Sequence, residues 1–96
     1  MMDHYQWELV CQAKQEVLSV MQIIQSLSVQ HAQRGLPIPV IPEYLLEKLR
    51  SIQNTLFLHE IRIEHFNLSE FAVECLKNSD EQLVNYLRSC AQFGVF

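Results

Sequence analysis

Four histidines, three cysteines and eleven acidic residues are the side chains that could do chemistry in this chain of 96 residues. They are densest in the segment 59–65, which reads His-Glu-Ile-Arg-Ile-Glu-His. A zinc-protease site needs two histidines four residues apart on one helix face, whereas His59 and His65 lie about 240° apart on a helix. Neither Glu60 nor Glu64 is followed three residues later by histidine, so the Glu-x-x-His pattern of di-iron bundles is missing. We predict no metal, no cofactor and no catalytic residue.

A second candidate for chemistry is His31, which is followed by Arg34 and Gly35. This spacing of histidine, basic residue and glycine resembles that of histidine phosphotransfer (HPt) domains, which are four-helix bundles of similar length. The resemblance covers five residues and implies that His31 would accept a phosphoryl group. The family usually has lysine at the basic position, and its helix continues where Pro37 and Pro39 would end this one. The other interpretation is a histidine placed favourably at a helix C-terminus.

Charge and cysteine usage narrow the class of protein. The net charge is −4 and the seven basic residues are scattered singly, so we expect binding neither to nucleic acid nor to an anionic membrane. No apolar run approaches the length of a transmembrane helix, and the N-terminus lacks the pattern of a signal peptide. The cysteines at 11, 75 and 90 are odd in number, without a C-x-x-C pair, and are expected on apolar helix faces. These features predict a reducing, cytoplasmic compartment.

Capping signals divide the chain into four predicted helices, at about 4–34, 42–66, 68–78 and 80–92. The predicted N-terminal capping boxes are Asp3 with Gln6, Asn67 with Glu70, and Ser79 with Gln82. Gly35 is expected to end the first helix in the left-handed conformation. We therefore expect one all-α domain over 1–96, a small helical bundle. Its first two helices would form a long antiparallel hairpin, completed by two short C-terminal helices.

The second predicted helix has an apolar seam with heptad spacing, which includes one histidine: Leu45, Leu49, Ile52, Leu56, His59, Ile63 and Phe66. This spacing is typical of antiparallel bundles and coiled coils. A histidine on such a seam is a candidate pH switch or a polar residue that fixes register. It could also be a hydrogen-bonded core residue, and all three interpretations remain open.

The first predicted helix contains seventeen consecutive residues, 17–33, without formal charge. At about 100° per residue, their apolar side chains cover roughly 240° of the helix circumference, which is wider than the apolar stripe of an ordinary surface helix. We expect this excess to be covered by a second copy of the chain. The candidate dimer contact consists of Val20, Ile23, Ile24 and Leu27.

Two further apolar segments have no obvious partner within the chain, and together they form the candidate partner surface. The first is the proline-rich link with Leu36, Ile38, Val40 and Ile41, and the second is the tail with Phe93, Val95 and Phe96. Proline reduces the entropy that the link would lose on binding. Both segments could instead plug the ends of the bundle.

The sequence favours a small non-enzymatic protein that binds other proteins by helix packing, as an adaptor, regulator or chaperone-like protein, and that forms a homodimer. One alternative is a phosphotransfer module that uses His31. Another is a helical domain excised from a larger scaffold protein, because the apolar C-terminus could be a cut edge.

Overall fold

A computed structural model describes residues 2–37, 40–94 and 96 of the chain. It contains four helices, α1 (His4–Gln33), α2 (Glu43–Leu58), α3 (Leu68–Cys75) and α4 (Glu81–Gln92). Helix accounts for 72% of the described residues and none of them lies in a β-strand. The predicted all-α class is therefore confirmed.

Three of the four described helices, α1, α3 and α4, begin with a side-chain cap, whereas Pro42 at the start of α2 provides none. At α1, the Asp3 carboxylate accepts from the Gln6 backbone N–H at 2.8 Å, and the Gln6 side chain accepts from the Asp3 N–H at 3.0 Å. At α3, the Asn67 side chain accepts from the Glu70 N–H at 3.1 Å. The capping box of Asp3 and Gln6 was predicted correctly. At α3 the predicted N-cap Asn67 is present, but the reciprocal bond from its N–H to the Glu70 side chain, which a capping box requires, is not formed.

The cap of α4 differs from the prediction by one residue. Asp80, rather than Ser79, accepts from the Gln82 N–H at 2.8 Å. A carboxylate interacts more favourably than a hydroxyl with the positive end of the helix dipole. The Ser79 hydroxyl instead accepts a hydrogen bond from the side-chain amide of Gln25 on α1.

Helix α1 ends in the Schellman motif that Gly35 predicts. Gly35 has φ of 68°, its N–H donates to Ala32, and the N–H of Leu36 donates to the carbonyl of His31 at 2.9 Å. These two bonds satisfy carbonyl groups that the end of a helix leaves free. The helix therefore stops at Gln33, one residue before the predicted end.

Helix α2 ends eight residues earlier than predicted, at Leu58 instead of residue 66. It ends in a second Schellman motif, in which the Ile61 N–H donates to the Leu56 carbonyl at 2.9 Å. Glu60 takes the left-handed position with φ of 60°. Leu56 and Ile61 are both buried, the apolar contact that usually accompanies this motif. In a continuous helix, Ile61 would lie about 140° around the helix axis from Leu56, away from the apolar seam. Because the helix ends and the chain changes direction at Glu60, the Ile61 side chain is buried instead.

Helix α1 is the element on which the others assemble. It contacts both α2 and α3, and α3 contacts α4. The molecule measures 48 × 23 × 21 Å, and thirty helical residues extend about 45 Å, so α1 runs nearly the full length. The core combines apolar side chains from all four helices and the connections, among them Val17, Val20, Leu45, Leu49, Leu56, Ile61, Leu68, Ala72, Leu76, Leu83 and Leu87.

Candidate interaction surfaces

The solvent-exposed side of α1 beyond Val17 carries no charged side chain. We call this surface the α1 outer face, and it consists of the exposed residues Leu18, Ser19, Gln22, Ile23, Ser26, Val29, Gln30 and Gln33. Three of these are apolar: Leu18, Ile23 and Val29 are 45%, 43% and 51% exposed. Part of the face forms a shallow depression of about 440 Å³ lined by Ser19, Gln22, Ile23, Ser26, Leu27 and Gln30.

The other helices expose charged residues where α1 exposes glutamine and serine. Glu47 and Lys48 are exposed on α2, Glu74 on α3, and Glu81 and Arg88 on α4. Surface helices ordinarily have such a charged face. The α1 outer face is therefore distinct from the outer surfaces of the other helices.

The predicted dimer contact on α1 is divided between the core and the surface. Val20 and Ile24 are 0% and 2% exposed, so neither side chain is accessible to a second chain. Both residues belong to the core cluster that combines apolar side chains from all four helices. Ile23 remains exposed and Leu27 is half-buried, and both line the depression on the α1 outer face.

The proline-rich link and the tail are divided in the same way. Ile41 is buried in the core, whereas Leu36 and Val40 are exposed. In the tail, Phe93 is 81% exposed, while Phe96 is partly buried and packs against the core. Ile38 and Val95 lie outside the described residues.

Three segments that are distant in sequence form a groove near the C-terminus, which we call the C-terminal groove. Its volume is about 440 Å³. Helix α2 contributes one face, the connection from α2 to α3 contributes a second wall, and the end of α4 with the tail contributes the third. The lining residues are Arg50, Gln53, Asn54, Phe57, Ile63, Asn67, Ser69, Ala91, Gly94 and Phe96.

Sequence reasoning marked Phe96 of this groove as an apolar residue without an assigned partner. It placed Ile63 on the apolar seam of the second helix, and that placement is wrong, because Ile63 lies beyond the end of α2 and is exposed. Phe57 and Ile63 are 53% and 57% exposed. The four α2 residues at 50, 53, 54 and 57 share a helix face, because they are spaced by three or four residues. That spacing can be recognised in the sequence. Which residues lie opposite this helix face, however, depends on where α2 ends, and that end was not predicted.

Arg50 is the one charged residue that lines the C-terminal groove among those described. Its guanidinium forms an ion pair with the carboxylate of Glu43, which lies seven residues earlier on the same face of α2. The Nε atom of Arg50 is buried and has no hydrogen-bond partner within the described residues. A buried donor without an acceptor lowers the free energy of unfolding by about 1–3 kcal/mol. One N–H group of this guanidinium is therefore left without a hydrogen bond.

His59 lies at the C-terminal end of α2 rather than within the predicted helical seam. Its N–H donates to Thr55 and Leu56, and its carbonyl accepts from the Gln6 side-chain amide at 2.8 Å. The rings of His59 and Tyr5 meet edge to face, with centroids 5.5 Å apart. The residue joins the start of α1 to the end of α2.

His31 lies in the last turn of α1 and is half-buried. Its Nδ1 atom is 3.2 Å from the Pro37 carbonyl oxygen. In HPt domains, by contrast, the helix continues past the corresponding glycine. The structure therefore places this histidine at a helix terminus and engages one of its ring nitrogens.

The three cysteines occupy three different environments. Cys11 is exposed, Cys75 is half-buried and Cys90 is buried; Cys11 therefore departs from the expected apolar face. Burial raises the pKa of the Cys75 thiol above 9.0, and the neighbouring Glu74 carboxylate raises it further. Burial also raises the pKa of Tyr86, which lies beside Cys90.

Metal-binding side chains are dispersed in the fold. Among residues 2–37, 40–94 and 96, no group of three or more His, Cys, Asp or Glu side chains could hold a metal ion. None of the four described helices has the length and apolar character that crossing a bilayer requires.

Comparison with known proteins gives no relative for this chain. No protein-family model matches it, no curated protein is significantly similar in sequence, and no solved structure is significantly similar in fold.

Proposed function

We propose that this protein acts by helix packing against other protein chains, and that the α1 outer face joins two copies into a homodimer. The observation that carries the proposal is the uncharged exposed side of α1, with Leu18, Ile23 and Val29 partly open to solvent. A non-enzymatic adaptor, regulator or chaperone-like role requires such a surface and needs no reactive centre.

We further propose that α1 and α2 form a long antiparallel hairpin, with α3 and α4 completing a bundle. The hydrogen bond from Gln6 to His59 supports this arrangement, because it brings the first turn of α1 beside the last residues of α2. The contact between the Tyr5 and His59 rings lies at the same end. This geometry would leave one long side of α1 free along its length.

Charge favours a second copy as the occupant of the α1 outer face. The chain carries a net charge of −4, so two copies repel each other least where neither presents a charge. Glutamine amides and serine hydroxyls each donate and accept hydrogen bonds, and such a face is complementary to itself across a two-fold axis. The exposed apolar side chains would add roughly 25 cal/mol for each Å² of apolar surface removed from water.

Sedimentation equilibrium over a range of micromolar concentrations tests the homodimer, with reductant present so that Cys11 cannot cross-link two chains. We expect the mass of a dimer for the natural sequence. Ile23→Lys and Ser26→Lys should give monomers, because an isologous contact brings each new charge close to its copy. Asn85→Lys is the matched control, since Asn85 is also exposed but lies on α4.

The two outcomes that would overturn this proposal are specific. One is a monomer of the natural sequence at every concentration. The other is a dimer that survives Ile23→Lys and Ser26→Lys, which would place the contact elsewhere. Equal helical circular dichroism of the variants and the control shows that a loss of dimer is not a loss of fold, whereas Tm itself is expected to fall when a stabilising dimer is lost.

A further inference from the structure

We infer that the C-terminal groove binds a peptide segment of another protein in which a carboxylate side chain lies next to large apolar side chains. This site is separate from the α1 outer face and does not depend on the homodimer. The inference combines the shape, the exposed apolar lining and the single positive charge of the groove.

The size and lining of the groove suit short peptide side chains. Its volume of about 440 Å³ is within the roughly 300–1,000 Å³ of clefts that hold small ligands. Phe57 and Ile63 line it with more than half of their surface open. Contacts with apolar side chains of a peptide would remove that surface from water.

The polar lining matches a peptide backbone. The polar residues Gln53, Asn54 and Ser69 line the groove. Carboxamides and hydroxyls both donate and accept hydrogen bonds. They can therefore bond to the N–H and C=O groups of an extended segment without requiring a particular sequence.

Charge selects an acidic occupant. Arg50 is the charged side chain of the described lining, in a chain whose net charge is −4. A guanidinium binds a carboxylate through paired, charge-assisted hydrogen bonds. The Arg50 side chain is 40% exposed, so a carboxylate in the groove can approach the guanidinium. A basic peptide would instead meet this positive charge.

Glu43 is a built-in competitor for the same guanidinium. It holds one terminal nitrogen of Arg50 in an ion pair, and both side chains are substantially exposed, at 40% for Arg50 and 65% for Glu43. Exposed ion pairs are weak, at about 0–1 kcal/mol, so a ligand carboxylate can replace Glu43. Removing the Glu43 charge should therefore strengthen binding of an acidic peptide.

NMR titration of the ¹⁵N-labelled full chain tests the inference with three blocked tripeptides. The probes are acetyl-Glu-Leu-Phe-amide, its neutral counterpart with Gln first, and its basic counterpart with Lys first. We expect the Glu peptide to bind about fivefold more tightly than the Gln peptide, as one charge-assisted contact allows, and the Lys peptide to bind weakest. Shift changes should concentrate at Phe57, Ile63 and Ala91.

Three variants assign the charge preference. Arg50→Gln should make the Glu and Gln peptides bind equally, and Glu43→Gln should tighten binding of the Glu peptide about two- to threefold. Lys48→Gln is the matched control, because Lys48 is an exposed cation on α2 outside the groove, and it should change neither affinity.

Several results would overturn the inference. They are equal affinities of the Glu and Gln peptides for the natural sequence, shift changes away from the groove, or no binding of any probe at millimolar concentration. If Arg50→Gln does not fold, Glu43→Gln still decides the point, because unchanged affinity for the Glu peptide would contradict the role of Arg50.

Discussion

The side-chain amide of Gln6 donates a 2.8 Å hydrogen bond to the carbonyl oxygen of His59, 53 residues later in the chain. The oxygen of the same amide accepts from the Asp3 N–H and completes the capping box of α1. One glutamine therefore caps the start of α1 and also satisfies a backbone carbonyl at the end of α2. Only a neutral side-chain amide can make both bonds at once, because its N–H group donates while its oxygen accepts.

Replacement of Gln6 by glutamate should destabilise the fold. Gln6→Glu keeps an acceptor for the Asp3 N–H but removes the donor to His59 and sets a carboxylate against a carbonyl oxygen. We expect a loss of about 1 kcal/mol, which lowers Tm by roughly 4–8 °C in a domain of this size. Thermal unfolding measures the change. Gln15→Glu, at an exposed position of the same helix, should leave Tm nearly unchanged, and equal losses in both variants would contradict the role of the interhelical bond.

Glycine at position 60 should stabilise the protein. Glu60 has φ of 60°, and a left-handed conformation costs a residue with a Cβ roughly 1–2 kcal/mol. Glycine avoids that cost, although it also increases the entropy of the unfolded chain. We expect Glu60→Gly to raise the free energy of unfolding by about 0.5–1 kcal/mol, measured by urea titration with an unchanged m-value.

Glu64→Gly is the control for this substitution. Glu64 is exposed and lies in a turn, and it is not among the described residues with positive φ. Here the entropy cost acts without relief of strain, so stability should fall. A decrease at both positions would show that the Glu60 backbone is not strained.

The same glutamate explains why the sequence predicted α1 better than α2. At α1, the Asp3–Gln6 pair and Gly35 are the residues that helix ends favour, and both boundaries were predicted within one residue. At α2, a glutamate occupies the position where glycine is expected, and the apolar spacing continues to Phe66. The buried contact between Leu56 and Ile61 stabilises an end that local preferences do not indicate.

The candidate surfaces were predicted less completely, because periodicity gives the width of an apolar arc but not its neighbours. Periodicity indicated a wide apolar arc on α1, yet the pattern could not assign Val20 and Ile24 to the core and Ile23 to the surface. The C-terminal groove combines three separate segments. No local pattern in the sequence specifies that combination.

The two phenylalanines of the tail should differ in their effect on stability. Phe96 packs against the core, whereas Phe93 is 81% exposed. We expect Phe96→Ala to cost about 1–2 kcal/mol, less than the 3–5 kcal/mol of a fully buried phenylalanine, and Phe93→Ala to cost little. Chemical denaturation of both variants makes the comparison. Equal losses, or a larger loss at Phe93, would contradict the described packing.

Stability should fall at alkaline pH through Cys75. Burial and then Glu74 raise the pKa of its thiol above the value of 9.0 expected in the unfolded chain. Above pH 9 the unfolded state therefore loses this proton first, which favours unfolding as the pH rises through the folded pKa. We expect Cys75→Ala to reduce the decline of Tm above pH 9. Identical Tm profiles with and without the thiol would contradict the shift.

Thiol modification should proceed in a fixed order. Cys11 is exposed, Cys75 is half-buried with a raised pKa, and Cys90 is buried. Alkylation requires an accessible thiolate, so we expect iodoacetamide to label Cys11 first and Cys90 last in the folded protein. Peptide mapping at successive times gives the order. Labelling of Cys90 as early as Cys11 would show that α4 opens readily in the folded protein, and it would contradict the predicted order.

Ionic strength should separate the two proposed surfaces. The α1 outer face carries no charged side chain, so self-association through it contains no ion pairs for mobile ions to screen. Raising the salt concentration from about 0.05 to about 0.5 M shortens the Debye length from roughly 14 Å to roughly 4 Å. The homodimer should persist or tighten under this change, since weaker repulsion between two chains of charge −4 favours association. Capture of a carboxylate by Arg50 should weaken, so high salt should empty the C-terminal groove while the homodimer persists.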